Sequence, residues 1–148
     1  MEKYYTPKIG EFHVGFEYEH IPGFTDGTVK SQEEFDKGVF EKEVFRVGDG
    51  PYINRALNGR NAANGRAGIR VKYLDEEDIH SLMFVTSAPW QWHTYTHYMF
   101  KSDKGDNIYG IRCKTQEERL FYGIIKNISE FKKILKQVKK EDGIHNNI

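Results

Sequence analysis

The stretch SEFKKILKQVKK, residues 129–140, places Phe131, Ile134, Leu135 and Val138 at i, i+3, i+4 and i+7, the apolar stripe of an amphipathic helix. Ser129 stands where an N-cap belongs. Lys132, Lys133, Lys136, Lys139 and Lys140 read as a solvated face whose cations suit the C-terminal end of the helix dipole. What precedes this helix decides the fold. Residues 83–86, 91–101, 107–113 and 119–126 are segments rich in aromatic and branched side chains, joined in part by the turn-rich SDKGD and KTQEE; they read as an antiparallel meander. Strands followed by a helix with one apolar face predict an α+β domain: a mainly antiparallel sheet with the C-terminal helix packed on one face.

Moving toward the amino terminus, IRVKY (69–73) is a strand by composition. Asp75 is placed to cap a second, short helix, with Glu76, Glu77 and Asp78 complementing its dipole and Ile79 and Leu82 facing the core. In FHVGFEYE (12–19), Phe12, Val14, Phe16 and Tyr18 alternate with His13, Gly15, Glu17 and Glu19, the period of a half-buried strand. Pro22-Gly23 and Asp26-Gly27 supply turns. Ser31 and Glu34 have capping-box spacing for a helix cut off near Gly38, and residues 43–47 form a short strand. Residues 48–68 shift to Gly, Asn, Arg and Ala without apolar periodicity, the signature of a long surface loop or extended hairpin. The chain is read as one domain, 1–148, with about 20–66 an irregular excursion.

Composition narrows the function. In 148 residues, Lys+Arg and Asp+Glu both number 22, so net charge supports no mainly electrostatic partnership with nucleic acid or an anionic membrane, and any basic function is local. Cys113 is the single cysteine, which excludes an internal disulfide and a multi-cysteine zinc site. The start MEKYYTPKIGEF has no apolar core of signal-peptide length, and no window approaches the roughly 20 apolar residues of a membrane span. A cytoplasmic protein with no membrane partner is expected.

FHVGFEYE, IRVKYLDEEDI and GIIKNISEFKKILKQ together resemble an uncharacterised family of small proteins encoded by bacteriophages of gut bacteria, including the crAss-like group, and by related mobile elements. The resemblance implies a phage or mobile-element product working in the bacterial host cytoplasm. Small accessory proteins of that kind act by binding, either sequestering a nucleotide signal or blocking a host defence protein. It implies no catalytic residue and no cofactor.

Three constellations carry candidate chemistry. In residues 58–68, NGRNAANGRAG, the triplet Asn-Gly-Arg occurs twice, within a run (50–74) that holds Arg55, Arg60, Arg66, Arg70 and Lys72 and no acid. Glycine lets successive N–H groups turn toward an anion and arginine offers a planar fork to phosphate. The spacing matches neither the P-loop nor the dinucleotide fingerprint, and the alternative is a hydrated loop with Asn-Gly turns.

The second constellation is PWQWHTYTHYMF (89–100), read as one strand with Trp90, Trp92, Thr94, Thr96, Tyr98 and Phe100 on one face and Gln91, His93, Tyr95, His97 and Met99 on the other. The histidines and Tyr95 are candidate stacking groups for a nucleobase; ordinary cross-strand packing is the alternative. On a strand His93 and His97 lie about 13 Å apart, too far to chelate one metal. The third, His13, Glu17, Glu19 and His20, offers carboxylates beside imidazole for acid–base work or cation binding, or is simply the polar face of an edge strand.

The expected function is a non-enzymatic protein binding an anionic ligand, a nucleotide or a nucleic-acid backbone, through Arg55, Arg60, Arg66 and Arg70, with His93, Tyr95 and His97 as stacking groups. The alternatives are a protein–protein interaction module, inhibiting a host factor or serving as a minor structural component, and a hydrolase built on the His/Glu cluster. No cofactor and no metal is expected.

Overall fold

The computed structural model describes residues 3–21, 28–29, 31–58, 66–115 and 119–141. The chain divides into two compact units, Met1–Tyr73 and Leu74–Ile148. Each is α+β, and every strand pairing is antiparallel. Among the described residues, no helix is long and apolar enough to cross a membrane.

In the first unit β1 (Tyr4–Tyr5), β2 (Glu17–His20), β4 (Glu41–Val44) and β6 (Ile69–Lys72) form a sheet in the order β1-β6-β2-β4, while β3 (Thr28–Val29) and β5 (Arg66–Ala67) make a separate two-stranded ladder. Alternation gives the sheet two faces. On one, Tyr5, Phe16, Tyr18, Ile69 and Val71 pack against Ile53 and Ala56 of α2 (Gly50–Asn58). On the other, Tyr4 packs with Phe35 of α1 (Gln32–Lys37). The expected cap at Ser31 is present, its Oγ accepting the Glu34 N–H at 3.0 Å.

Two expectations for this unit are corrected. FHVGFEYE is strand only from Glu17; Val14 is exposed and Gly15 has φ +96°, a turn conformation that ends the alternation. Within the stretch read as loop, residues 50–58 are helical. Asp49 accepts the Ile53 N–H through its carbonyl, and Pro51 falls in the first turn, where its missing N–H costs nothing.

The second unit is a five-stranded meander, β7 (Val85–Ala88), β8 (Gln91–His93), β9 (His97–Lys101), β10 (Ile108–Cys113) and β11 (Arg119–Ile124). Its inner face carries Trp92, Met99, Tyr109 and Ile111, which pack with Ile79 of α3 (Glu76–Ser81) and with Phe131, Leu135 and Val138 of α4 (Ile128–Glu141). Burying one large apolar side chain contributes about 1.5–3 kcal/mol, so this contact fixes the helix across the sheet. Asp75 caps α3 as expected. The cap of α4 is Asn127 and not Ser129: Asn127 Oδ1 accepts the Glu130 N–H at 2.9 Å and Glu130 returns a bond to the Lys126 N–H.

Candidate functional site

The segment read as one strand, 89–100, is a hairpin. Thr94 Oγ1 accepts the N–H groups of Thr96 and His97 at 3.3 and 3.0 Å, so a threonine side chain makes the turn without Gly or Pro. Folding the strand back regroups its faces. Trp92 pairs with Met99 toward the helices, and His93 pairs with Tyr98 on the opposite, outer face.

Two rows of side chains cross that outer face. In the first, the register runs His93–Tyr98–Arg112–Arg119. The His93 and Tyr98 rings lie nearly parallel, 6.5 Å apart and inclined by 12°. The Arg112 guanidinium sits 4.8 Å and the Lys114 ammonium 5.1 Å from the Tyr98 ring centre, both at cation–π distance. Lys114 Nζ also donates to His93 Nδ1 at 3.3 Å, which leaves the imidazole proton on Nε2.

The second row, about 6.7 Å along the strands, runs Phe100–Gly110–Tyr122. A Cβ at residue 110 would collide with the Phe100 ring, so that ring lies flat on bare backbone. Phe100 and Tyr122 approach to 6.4 Å, Arg119 covers the Tyr122 ring at 4.4 Å, and the Tyr122 hydroxyl is anchored to Ser102 Oγ at 2.9 Å.

None of the five strands contains Asp or Glu. Among the described residues, no carboxylate pairs with Arg112, Lys114 or Arg119. Tyr98 and Tyr122 remain 36% and 43% exposed. Among the described residues the face therefore offers aromatic surface flanked by cations without a carboxylate partner, which suits a ligand combining flat rings with negative charge.

The residues singled out from the sequence are dispersed. Arg55 is exposed on α2. Asn58 ends α2 and Arg66 lies in β5; Gly59, Arg60 and the Asn64-Gly65 pair lie outside the described residues. Arg70 is occupied structurally: its Nε and Nη2 donate to Glu19 Oε1 at 3.2 and 2.9 Å, its Nη1 donates to the Phe35 carbonyl at 2.6 Å, and its guanidinium is sandwiched between the rings of Tyr4 and Phe40. His97 is buried on the core face, its Nδ1 2.7 Å from Thr96 Oγ1. His93 belongs to the outer face, and Tyr95, at the hairpin turn, is 96% exposed.

The His/Glu cluster is not assembled for acid–base work. His13 is exposed and bonded to the Glu11 carbonyl, and Glu19 is held by Arg70. Among the described residues, no group of three or more His, Cys, Asp or Glu is arranged to hold a metal ion. Cys113 is buried, with Sγ 3.2 Å from Thr115 Oγ1.

Arg112, Lys114, Arg119 and Tyr122 were not among the residues the sequence pointed to. Their signal was the absence of acid from five successive strands, which becomes visible only once the strand ends are known. Comparison of the chain with protein-family models, with curated proteins and with solved structures finds no match.

Proposed function

We propose that the chain is a non-enzymatic binding protein for single-stranded nucleic acid, with bases stacked on Tyr98 and Tyr122 and phosphates held by Arg112, Lys114 and Arg119. The observation that carries this reading is an outer face built on five strands without Asp or Glu, on which the Tyr98 and Tyr122 rings are each covered by at least one cation. Every base has a π-face, so such a platform is tolerant of sequence. Two rows favour an oligonucleotide over a single nucleotide. Tyr95, beside the first row, extends the stacking surface. If the chain is a phage accessory protein, as its sequence resemblance implies, this binding would take place in a bacterial host and counteract a nucleic-acid-based or nucleotide-based defence.

Fluorescence anisotropy with labelled oligouridylate and oligothymidylate tests the reading. Stacking contributes about 1–3 kcal/mol per base, so Tyr98→Ala and Tyr122→Ala should each weaken binding by about 5- to 150-fold, whereas Tyr98→Phe retains it. Unchanged affinity in both alanine variants would remove the proposal. A protein-interaction module is the second reading, favoured by Trp90, which is 63% exposed at the turn joining β7 and β8. Under it the wild-type protein shows no saturable oligonucleotide binding at low salt.

A further inference from the structure

The unit Met1–Tyr73 contains a cleft of about 340 Å³, within the size range of small-molecule sites. It opens beside α2 on the Tyr18 face of the sheet, with Ile53 as its apolar floor and Tyr52 at its side. Tyr18 is 5% exposed, and its hydroxyl faces the cleft without a hydrogen-bond partner among the described residues. Among the described residues the fully enclosed, unpartnered side-chain atom is Asn107 Oδ1 and not the Tyr18 hydroxyl, which therefore opens to the cleft and is placed to bond a ligand atom there.

The charge of the lining identifies the ligand. Glu43 and Asp49 bring two carboxylates, while the cation Arg46 is 76% exposed at the side chain. Its Nη2 rests 3.6 Å from Glu43 Oε1, beyond hydrogen-bonding distance. A guanidinium of the chain thus lies loosely against a carboxylate that a better-placed one would bind directly. Burial, then Asp49 and Glu43, push the Tyr18 hydroxyl up to about 12, consistent with negative potential in the cleft. His20 Nδ1 is committed to the Ile21 carbonyl at 2.7 Å.

We propose that this cleft binds a small organic cation, a guanidinium or primary amine on a short carbon stem, held by Glu43 and Asp49 with the Tyr18 hydroxyl and the Tyr52 ring completing the site. It belongs to a different unit from the sheet face and does not rest on the nucleic-acid reading.

The test compares butylguanidinium and butylammonium with butylurea, the neutral isostere, by amide chemical-shift titration of the full chain. The cations should bind with a Kd of about 1 mM, as expected for ligands this small, and shift amides of β2, β4 and α2. Butylurea should bind about tenfold more weakly, and Glu43→Gln should cost the cations a similar factor, the worth of one charge-assisted hydrogen bond. Arg46→Ala should tighten binding by removing the internal competitor, and Tyr18→Phe should weaken it. The amide spectrum of each variant shows directly whether it is folded. Equal binding of butylurea, affinity indifferent to Glu43→Gln, or shifts confined to other parts of the chain would overturn the proposal. So would the absence of saturation at about ten times the expected Kd.

Discussion

Replacing Arg70 with methionine tests whether the most basic-looking stretch of the sequence serves a ligand or the fold. The substitution removes the ion pair to Glu19, the bond to the Phe35 carbonyl and the cation between the Tyr4 and Phe40 rings. Arg70 and Glu19 side chains are 7% and 15% exposed. Taking one partner from such a pair leaves a poorly solvated charge, at a cost of about 3–5 kcal/mol. The orphaned carbonyl and the lost ring contacts lie within that figure, since these terms are not additive. Against a typical net stability of about 5–15 kcal/mol, the first unit should be severely weakened.

Amide hydrogen exchange under urea reads this out strand by strand: protection in β2 and β6 should fall. Trp92, buried in the other unit, provides a separate fluorescence signal there. Glu19→Gln combined with Arg70→Met should recover at least about 1 kcal/mol, because the stranded carboxylate is gone. A cost below about 1 kcal/mol for Arg70→Met, or no recovery in the double variant, would refute the reasoning.

Further outcomes are expected elsewhere in the chain. Burial is the main cause that raises Tyr18 and Tyr109 from 10.0 to about 12, helped by Asp49 and Glu43 for the first and by Asp75 and Asp78 for the second. The folded state thus holds these protons more tightly, and their contribution to stability is complete below pH 10 and lost as pH rises toward 12; tyrosinate absorbance at 295 nm should show two late-titrating tyrosines that revert on unfolding. Met83 follows α3 at φ 75° with its side chain 81% exposed, so Met83→Gly should stabilise by about 0.5–1 kcal/mol, measured as a raised Tm; a lowered Tm would contradict this. Gly110→Ala would drive a methyl into the Phe100 ring and should destabilise by about 1–3 kcal/mol in urea unfolding; an unaltered midpoint would mean that Phe100 does not lie on Gly110.

Much of the scaffold was legible because local rules and tertiary packing agreed. The α4 stripe buries Phe131, Leu135 and Val138, and the caps at Ser31 and Asp75 form as their spacing indicated. Errors arose where a side chain replaced the usual punctuation. Thr94 turns the chain in a run with no Gly or Pro, so HTYTH read as continuous strand; residues 50–58, read as part of a long loop or hairpin, form a helix. The binding face suffered most, because reversing at Thr94 moves His97 into the core and sets Tyr98 beside His93. Arg70 misled for a different reason: its counter-charge, Glu19, lies 51 residues away in sequence, so an acid-free window concealed a cross-strand ion pair.

The salt dependence of oligonucleotide binding tests the sheet face most directly. Single-strand binding loses affinity with a log–log slope of about −0.7 per phosphate neutralised, so engagement by Arg112, Lys114 and Arg119 predicts a slope of about −2. Replacing all three with alanine should bring that slope close to zero and abolish tight binding, while Trp92 fluorescence and far-UV circular dichroism stay as in the wild type. An unchanged slope and affinity in the folded triple variant would contradict the assignment of the outer face as a nucleic-acid surface.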